Sequence, residues 1–432
     1  MTAPSDTSFA PPDGLRWLYV DFNSYFASVE QQLNPRLRGK PIAVMPVDTD
    51  STCAIAASYE AKAFGVKTGT PIYEAKKMCP GLVCVLAQHG RYVEFHDRIL
   101  EEIENHIPVT AICSIDEMAC SLMKNERSPE RAKAIAQSIK AGIAKNVGEY
   151  VLCSIGVAQS KYLAKVATDL QKPDGLTVLM PEDLPEQLFD LKLRDLPGIG
   201  QNIERRINQA GVHDMRALMK LQPKHMRSIW GSLWGEKMWY YLRGFDLPDD
   251  ETNRSSIGHS HVLAPEMRPP DQAYIIARRL TMKAAARLRR MEYYAGKFSL
   301  SVRVENGPRL GLEASCQPAQ DSFIFLKLLE GLWQAVMQET GKQRIMKVSA
   351  QLYGLVQEKD LNVQADLFAA AVPAATTKKQ AGNEKISKAM DYLNHKYGRD
   401  TVLLGMTANQ DKDATGTKIA FTRIPDMEEF LE

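Results

Sequence analysis

WLYVDFNSYFASVE, Trp17 to Glu30, passes from an apolar run into an acid and then into an amphipathic pattern. Trp17-Leu18-Tyr19-Val20 reads as a strand that ends on Asp21, and Tyr25, Phe26 and Val29 follow at helical spacing. A second run, Ile112-Cys113-Ser114-Ile115, closes on Asp116 and Glu117. An acid at a strand end rides on rigid backbone, so two such strands side by side would mass three carboxylates. These repel one another unless cations sit between them, and oxygen-only ligation favours hard ions such as Mg2+. Two ions roughly 3.5–4 Å apart stabilise both the attacking and the leaving oxygen of an in-line phosphoryl displacement. The plainer reading is that the acids end two strands in polar turns, and spacing alone leaves both readings open. Adjacent strand residues face opposite ways, so Asp116 and Glu117 share a site only if the chain turns or bulges there.

The 432 residues exceed one ordinary core and predict two to four domains. A hydrophobic content of 44% and a charged content of 25% are those of a soluble globular chain. No apolar stretch approaches the roughly 18 residues of a membrane span, and the leader MTAPSDTSFAPPDG lacks the basic and apolar regions of a signal peptide. A cytoplasmic location is expected, with no membrane partner. The seven cysteines (Cys53, Cys79, Cys84, Cys113, Cys120, Cys153, Cys316) have no CxxC spacing, which suits reduced core thiols rather than a zinc site or disulfide framework. Net charge is only +2, but Arg254 to Leu310 holds eleven Lys/Arg against four Asp/Glu. Such a stripe suits a polyanion partner, with a solvated helix face as the ordinary alternative.

From Arg16 to about Asp246 strands and helices mix. Pro41–Met45 and Val151–Val157 read as strands, Arg91–His106 and Pro129–Asn146 as helices, and Lys172–Phe245 as mostly helical around Trp230, Trp234 and Trp239. Asp246–Asn253 is polar, contains Pro and reads as a linker. Beyond it a basic helix (Gln272–Arg290), a strand (Phe298–Val304), a helix (Ser322–Glu339) and a strand (Lys347–Leu355) are expected. Ala369–Lys379 reads as a low-complexity tether, followed by a short helix at Lys385–Tyr397 and a strand at Thr401–Leu404.

VDFNSYFASVE (Val20–Glu30) resembles the first catalytic motif of the Y-family, the translesion DNA polymerases. The resemblance continues at SYEAKAFGVKTGTPI (Ser58–Ile72), CSIDE (Cys113–Glu117), SIGVAQSKYLAKVATDLQKPDG (Ser154–Gly175) and LPGIG (Leu196–Gly200), and covers roughly Arg16 to Val356. Asn23, Lys62 and the tail around Tyr392–Leu404 look like the UmuC branch of bacterial members, whereas Ser58-Tyr59-Glu60 looks like the DinB branch. Many members carry a carboxylate at the position of Asn23 and arginine at that of Lys62. The resemblance implies an α+β multidomain fold like a right hand, with a disordered leader (1–14), a palm (15–24 and 88–167) and small fingers (25–87). A helical thumb with a helix-hairpin-helix (168–245), a linker (246–254), a little finger (255–360), a clamp-binding peptide (361–368) and a tether with a C-terminal tail (369–432) complete it.

By the same resemblance Asp21 and Asp116 bridge two Mg2+ ions, with Mn2+ as a substitute. The Phe22 carbonyl completes one coordination sphere, Glu117 lies by the primer 3′-hydroxyl, and Asp116-Glu117 sit at a hairpin bend. Phe26, with Tyr25 beside it, is the steric gate beneath the sugar of the incoming deoxynucleoside triphosphate. Tyr59, Lys62 and Lys161 bind its triphosphate, with Lys62 a point charge rather than a bidentate fork. Gly198 and Gly200 free backbone N–H groups for a phosphate of primer-template DNA. Arg278, Arg279, Arg287, Arg290 and Arg303 join Lys283 and Arg289 as candidate phosphate contacts, although one helix face cannot present all of them. Gln364-Ala-Asp-Leu-Phe368 resembles the peptide that docks on the bacterial sliding clamp, with Gln364, Leu367 and Phe368 as anchors. The implied activity is template-directed, low-fidelity, distributive DNA synthesis across lesions in DNA damage tolerance, by a monomer aided by damage-response accessory proteins. The alternatives are a catalytically silent scaffold bridging DNA, clamp and another polymerase, and a template-independent nucleotidyl transferase.

Overall fold

The computed structural model describes residues 11, 13–248, 254–341, 343–360, 374–398 and 401–405. The chain divides into two units near residue 250. In the first, the chain runs β1 (Trp17–Phe22), α1 (Tyr25–Leu33), β2 (Ile42–Met45), β3 (Ala56–Ala57), α2 (Tyr59–Lys62), α3 (Ile72–Met78), β4 (Val83–Leu86) and α4 (His89–Glu104). It continues through β5 (Ala111–Ser114), β6 (Glu117–Ser121), α5 (Pro129–Gly142), β7 (Cys153–Ala158), α6 (Lys161–Leu170) and β8 (Leu176–Val178). Four short helices follow: α7 (Gln201–Gln209), α8 (Met215–Met219), α9 (Pro223–Trp230) and α10 (Leu233–Tyr241).

A five-stranded sheet, β5-β6-β1-β7-β8, puts the strand that ends on Asp21 at its centre, antiparallel to both neighbours. β2 to β4 form a separate sheet of order β3-β2-β4. Serine caps fix the helix starts around the central sheet. Ser128 accepts from the Arg131 amide ahead of α5, and Ser160 from the Leu163 amide ahead of α6. Each cap contributes about 1 kcal/mol. α6 lies close on the sheet because Gly156 of β7 has no side chain: a Cβ there would stand 2.1 Å from the Ala164 carbonyl oxygen. Behind α6, the apolar faces of α7 to α10 close a core on Leu163, Val166, Met226, Trp230 and Met238.

The second unit runs β9 (Ser256–Val262), α11 (Pro270–Arg290), β10 (Tyr293–Val304), β11 (Arg309–Ala319), α12 (Ser322–Thr340), β12 (Ile345–Gln357) and α13 (Ala374–Tyr397). Its sheet is antiparallel, of order β11-β10-β12-β9. Phe298, Leu300 and Val302 of β10 meet Ala277, Leu280 and Ala284 of α11 and Phe325 and Leu329 of α12 in one core.

Several expectations change here. β9 and β11 were not expected, and both were obscured by Gly and Ser within a strand pattern. The Ala-rich tether becomes helix from Ala374, and that helix continues to Tyr397. Ser387 accepts from the Ser322 amide at 3.2 Å, and Met390 is buried. Thr401–Leu404 forms no strand; its turns bring Leu404 against the unit's core. Cys53 is exposed rather than a core thiol. The expected clamp peptide at Gln364–Phe368, most of the leader and the tail beyond residue 405 lie outside the described residues.

Candidate active site

Asp21 and Glu117 are partners across the β1/β6 ladder, and the β5–β6 hairpin turns at Ile115–Asp116. That turn, with a register shift in β5, lets Asp116 and Glu117 approach one site despite their adjacency. The turn is fastened to β1, since the Phe22 amide donates to the Asp116 carbonyl at 2.9 Å. Ser114 Oγ donates to Asp116 Oδ1 at 2.6 Å, and Tyr19 donates to Glu117 Oε2 at 3.2 Å.

α6 runs over β1 in step with it. Lys161 Nζ lies 5.9 Å from the centre of the Trp17 ring, and Lys165 Nζ, one turn on, lies 5.7 Å from that of Tyr19. The Lys165 ammonium bridges Asp21 and Glu117, 2.7 Å from the latter. Lys172, just past the helix, reaches Asp21 at 2.8 Å and Asp169 at 2.7 Å. Thus the lysine expected from the motif, Lys161, stands by Trp17, its amide donating to Asp246 at 3.3 Å, while Lys165 and Lys172 meet the acids. The four strand rises from Trp17 to Asp21 span roughly 13 Å. The missed signal was the i, i+4 spacing of Lys161, Lys165 and Asp169.

The field of this cluster is uneven. Burial alone would raise the Asp21 carboxyl, but the Lys165 and Lys172 ammonium groups outweigh it and hold Asp21 below the usual carboxylate range. Burial pushes Asp116 up to about 6, with Glu117 and Asp21 adding repulsion against the opposing Ser114 hydrogen bond. Lys165 is pulled down by burial and pushed further up by Asp21, Glu117 and Asp169, so it stays charged.

Tyr59 and Lys62 stand beside the same cluster. The Lys62 ammonium lies 4.5 Å from the centre of the Tyr59 ring, and both residues feel the charges of Lys172 and Asp21. Phe26 is buried and stacks on Tyr92, with ring centres 4.4 Å apart and planes 16° from parallel. Tyr92 is locked in turn: its hydroxyl donates to Glu30 at 2.7 Å, and Tyr25 donates to its carbonyl at 2.6 Å.

Among the expected DNA contacts, Gly198 has φ +91°, and a Cβ there would stand 2.9 Å from the Trp234 indole nitrogen. Gly200 opens α7 with free space around its Cα. In the second unit the arginines of α11 divide. Arg290 is exposed, and Arg278 and Arg287 are half-buried, with Arg278 donating to the Leu404 carbonyl at 3.1 Å. Arg279 and Arg289 are buried, and Arg289 is committed to Asp391 at 2.6 and 2.9 Å and to the Gln320 carbonyl at 2.6 Å. Arg289 therefore leaves the set of candidate phosphate contacts. Arg303 is exposed on the sheet, directly between Arg309 of β11 and Lys347 of β12 in register. Like charges placed opposite each other destabilise a sheet, so this row favours an anion over it. Arg309 and Lys347 are missing from the sequence reading because the strands that align them are far apart in sequence.

Residues 20–169 match the model of the impB/mucB/samB family, 194–246 that of the DNA polymerase-iota thumb domain, and 254–367 that of the impB/mucB/samB family C-terminal domain. The chain is 31% identical to DNA polymerase IV of Moorella thermoacetica over 89% of its own length and 94% of the relative's. It is 27% identical to DNA polymerase IV of Bacillus velezensis, over 92% and 94%. In fold it resembles a solved Y-family DNA polymerase chimera, with a TM-score of 0.68 and 24% identity, covering 79% of this chain and 99% of that one. Strand-end acids, fold and relatives agree, and the chain belongs to the Y-family of translesion DNA polymerases, which are DNA-directed DNA polymerases.

Proposed function

We propose that this polymerase copies damaged templates with low fidelity and distributively, by nucleotidyl transfer at Asp21, Asp116 and Glu117 with two divalent ions. The observation that carries the reading is the cross-strand pair Asp21 and Glu117, with Asp116 in the adjoining turn and two ammonium groups against them. These residues fit hard cations: every donor is an oxygen, and their field already gathers positive charge. Lys165 lies between Asp21 and Glu117, and a metal bound there would take over its contacts. Mg2+ is the proposed ion, Mn2+ a substitute, and the Phe22 carbonyl a further oxygen. When bound, such ions lower the pKa of a primer 3′-hydroxyl and offset charge on departing pyrophosphate.

The protein's own groups orient the reactants. Lys172, Lys62 and Tyr59 form the triphosphate side of the site, Lys172 in the role that the sequence suggested for Lys161. Phe26, held by its stack on Tyr92, leaves no room for a 2′-hydroxyl and selects deoxynucleotides. Gly198 and Gly200 offer backbone amides, and Arg303, Arg309 and Lys347 offer cations, to primer-template DNA without reading its sequence. The palm, fingers, thumb and little finger boundaries given above, docking of Gln364–Phe368 on a bacterial sliding clamp, action as a monomer with damage-response accessory proteins, and a cytoplasmic location belong to the same reading. Among the described residues no helix is long and apolar enough to cross a membrane.

Single-nucleotide extension of a primer-template with Mg2+, each deoxynucleotide supplied separately, tests the proposal. Template-matched incorporation is expected, falling by roughly 10²- to 10³-fold in Asp116→Ala, the range for loss of one electrostatic stabiliser. Full extension by a folded Asp116→Ala protein would overturn the assignment of the acids. Addition that ignores the template would make the protein a template-independent transferase.

A further inference from the structure

Asn23 stands two residues beyond Asp21 and is 2% exposed. Its amide donates to the Leu152 carbonyl at 2.8 Å, anchoring it beside β7. The side chain faces the turn that follows α6. Asn23 Oδ1 accepts from the Asp174 amide at 2.7 Å, and Asn23 Nδ2 lies 3.1 Å from Ser154 Oγ, which accepts from the Gly175 amide at 3.2 Å. Lys140 grips the same turn from α5, donating to the carbonyls of Asp174 at 2.6 Å and Cys153 at 2.8 Å.

The turn has little freedom of its own. Asp174 sits in the left-handed region at φ 57°, and a Cβ on Gly175 would stand 1.8 Å from the Gln171 carbonyl oxygen. Two residues before Asp174, Lys172 returns to Asp21. The strand end therefore holds the turn at two points two residues apart, an ammonium on Asp21 and an amide on Asn23. An ammonium on a four-carbon stem is mobile, so the backbone that carries it decides where it reaches.

We propose that Asn23 is a positioning residue: by holding the Asp174 amide it sets the reach of the Lys172 ammonium to the incoming triphosphate. The inference rests on the reading of Lys172 given under the proposed function, and it assigns Asn23 no contact with the reacting atoms.

The test is steady-state single-nucleotide insertion by the full chain, comparing Asn23→Ala, Asn23→Asp, Lys172→Met and the double variant Asn23→Ala/Lys172→Met. Loss of one buried hydrogen bond predicts a KM for the deoxynucleotide raised roughly tenfold in Asn23→Ala, with kcat changed less than about threefold. Asn23→Asp should recover most of that loss, because a carboxylate accepts from the same amide. The double variant should match Lys172→Met alone, since Asn23 acts only through that lysine. Effects that multiply in the double variant would overturn the positioning role while leaving the reading of Lys172 intact. An unchanged KM in Lys172→Met would overturn both. A defect in Asn23→Asp as large as in Asn23→Ala would exclude the acceptor role. If Asn23→Ala melts below the assay temperature, Asn23→Ser, too short to reach the Asp174 amide, takes its place.

Discussion

Both α6 and α11 lay cations across a β-sheet, and they use them in opposite ways. On α6 and the turn beyond it, Lys165 and Lys172 meet the carboxylates at the end of β1 and the start of β6. α11 is twice as long and more basic, yet it turns Arg279 and Arg289 inward, and Arg289 serves the fold through Asp391. Charge density along a helix therefore says little about function. What the helix faces decides: an acid cluster needing counter-charge in one unit, an apolar core closed by a C-terminal helix in the other.

The sharpest way to break this contrast is to remove one cation from each helix. Arg289→Met leaves Asp391 without its partner and should cost about 2–3 kcal/mol, less than for a fully buried pair because Asp391 is partly exposed, as read by urea denaturation. The salt dependence of DNA binding should stay as in the wild type. A flatter salt dependence with unchanged stability would show that Arg289 serves DNA after all. Lys165→Met should cost about 2 kcal/mol without divalent ions, less because Glu117 is partly exposed. Millimolar Mn2+ should then raise the melting temperature of this variant more than that of the wild type, since the metal replaces an ammonium. Equal stabilisation of both would mean that lysine and metal do not compete.

Acidity gives a finer measure. Asp116 has a raised folded pKa, so its favourable contribution is present below the unfolded value and is lost as pH rises through about 6. Compared with Asp116→Asn, the wild type should lose roughly 1–3 kcal/mol of stability between pH 4 and 7. Parallel stability curves for the two proteins would mean that burial and the neighbouring carboxylates do not raise the Asp116 pKa.

These cases show what sequence could carry. The strand ends at Asp21 and at Asp116-Glu117 were legible because an apolar run that stops on an acid is a local signal, whereas spacing alone left the role of these acids open and only the motif resemblance suggested one. The basic helix was legible for the same reason, as α11 was expected from Gln272 and begins at Pro270. Lys165 and Lys172 were not, because their role depends on how α6 registers against β1, a tertiary fact. Arg289 looked like any basic helix residue since its partner lies 102 residues away. The row Arg309, Arg303, Lys347 needed the pairing of three strands, one of which was unexpected.

α13 carries a further consequence. Ribosomes must pass the codon for Asp391 before Arg289 can find its counter-ion, so a message cut short ahead of that codon encodes a guanidinium with no carboxylate to meet it. Cellular proteases cull poorly folded chains in proportion to the time they spend open. α13 thereby ties the persistence of the second unit to translation having passed residue 391, and chains cut short before it are expected to be cleared first.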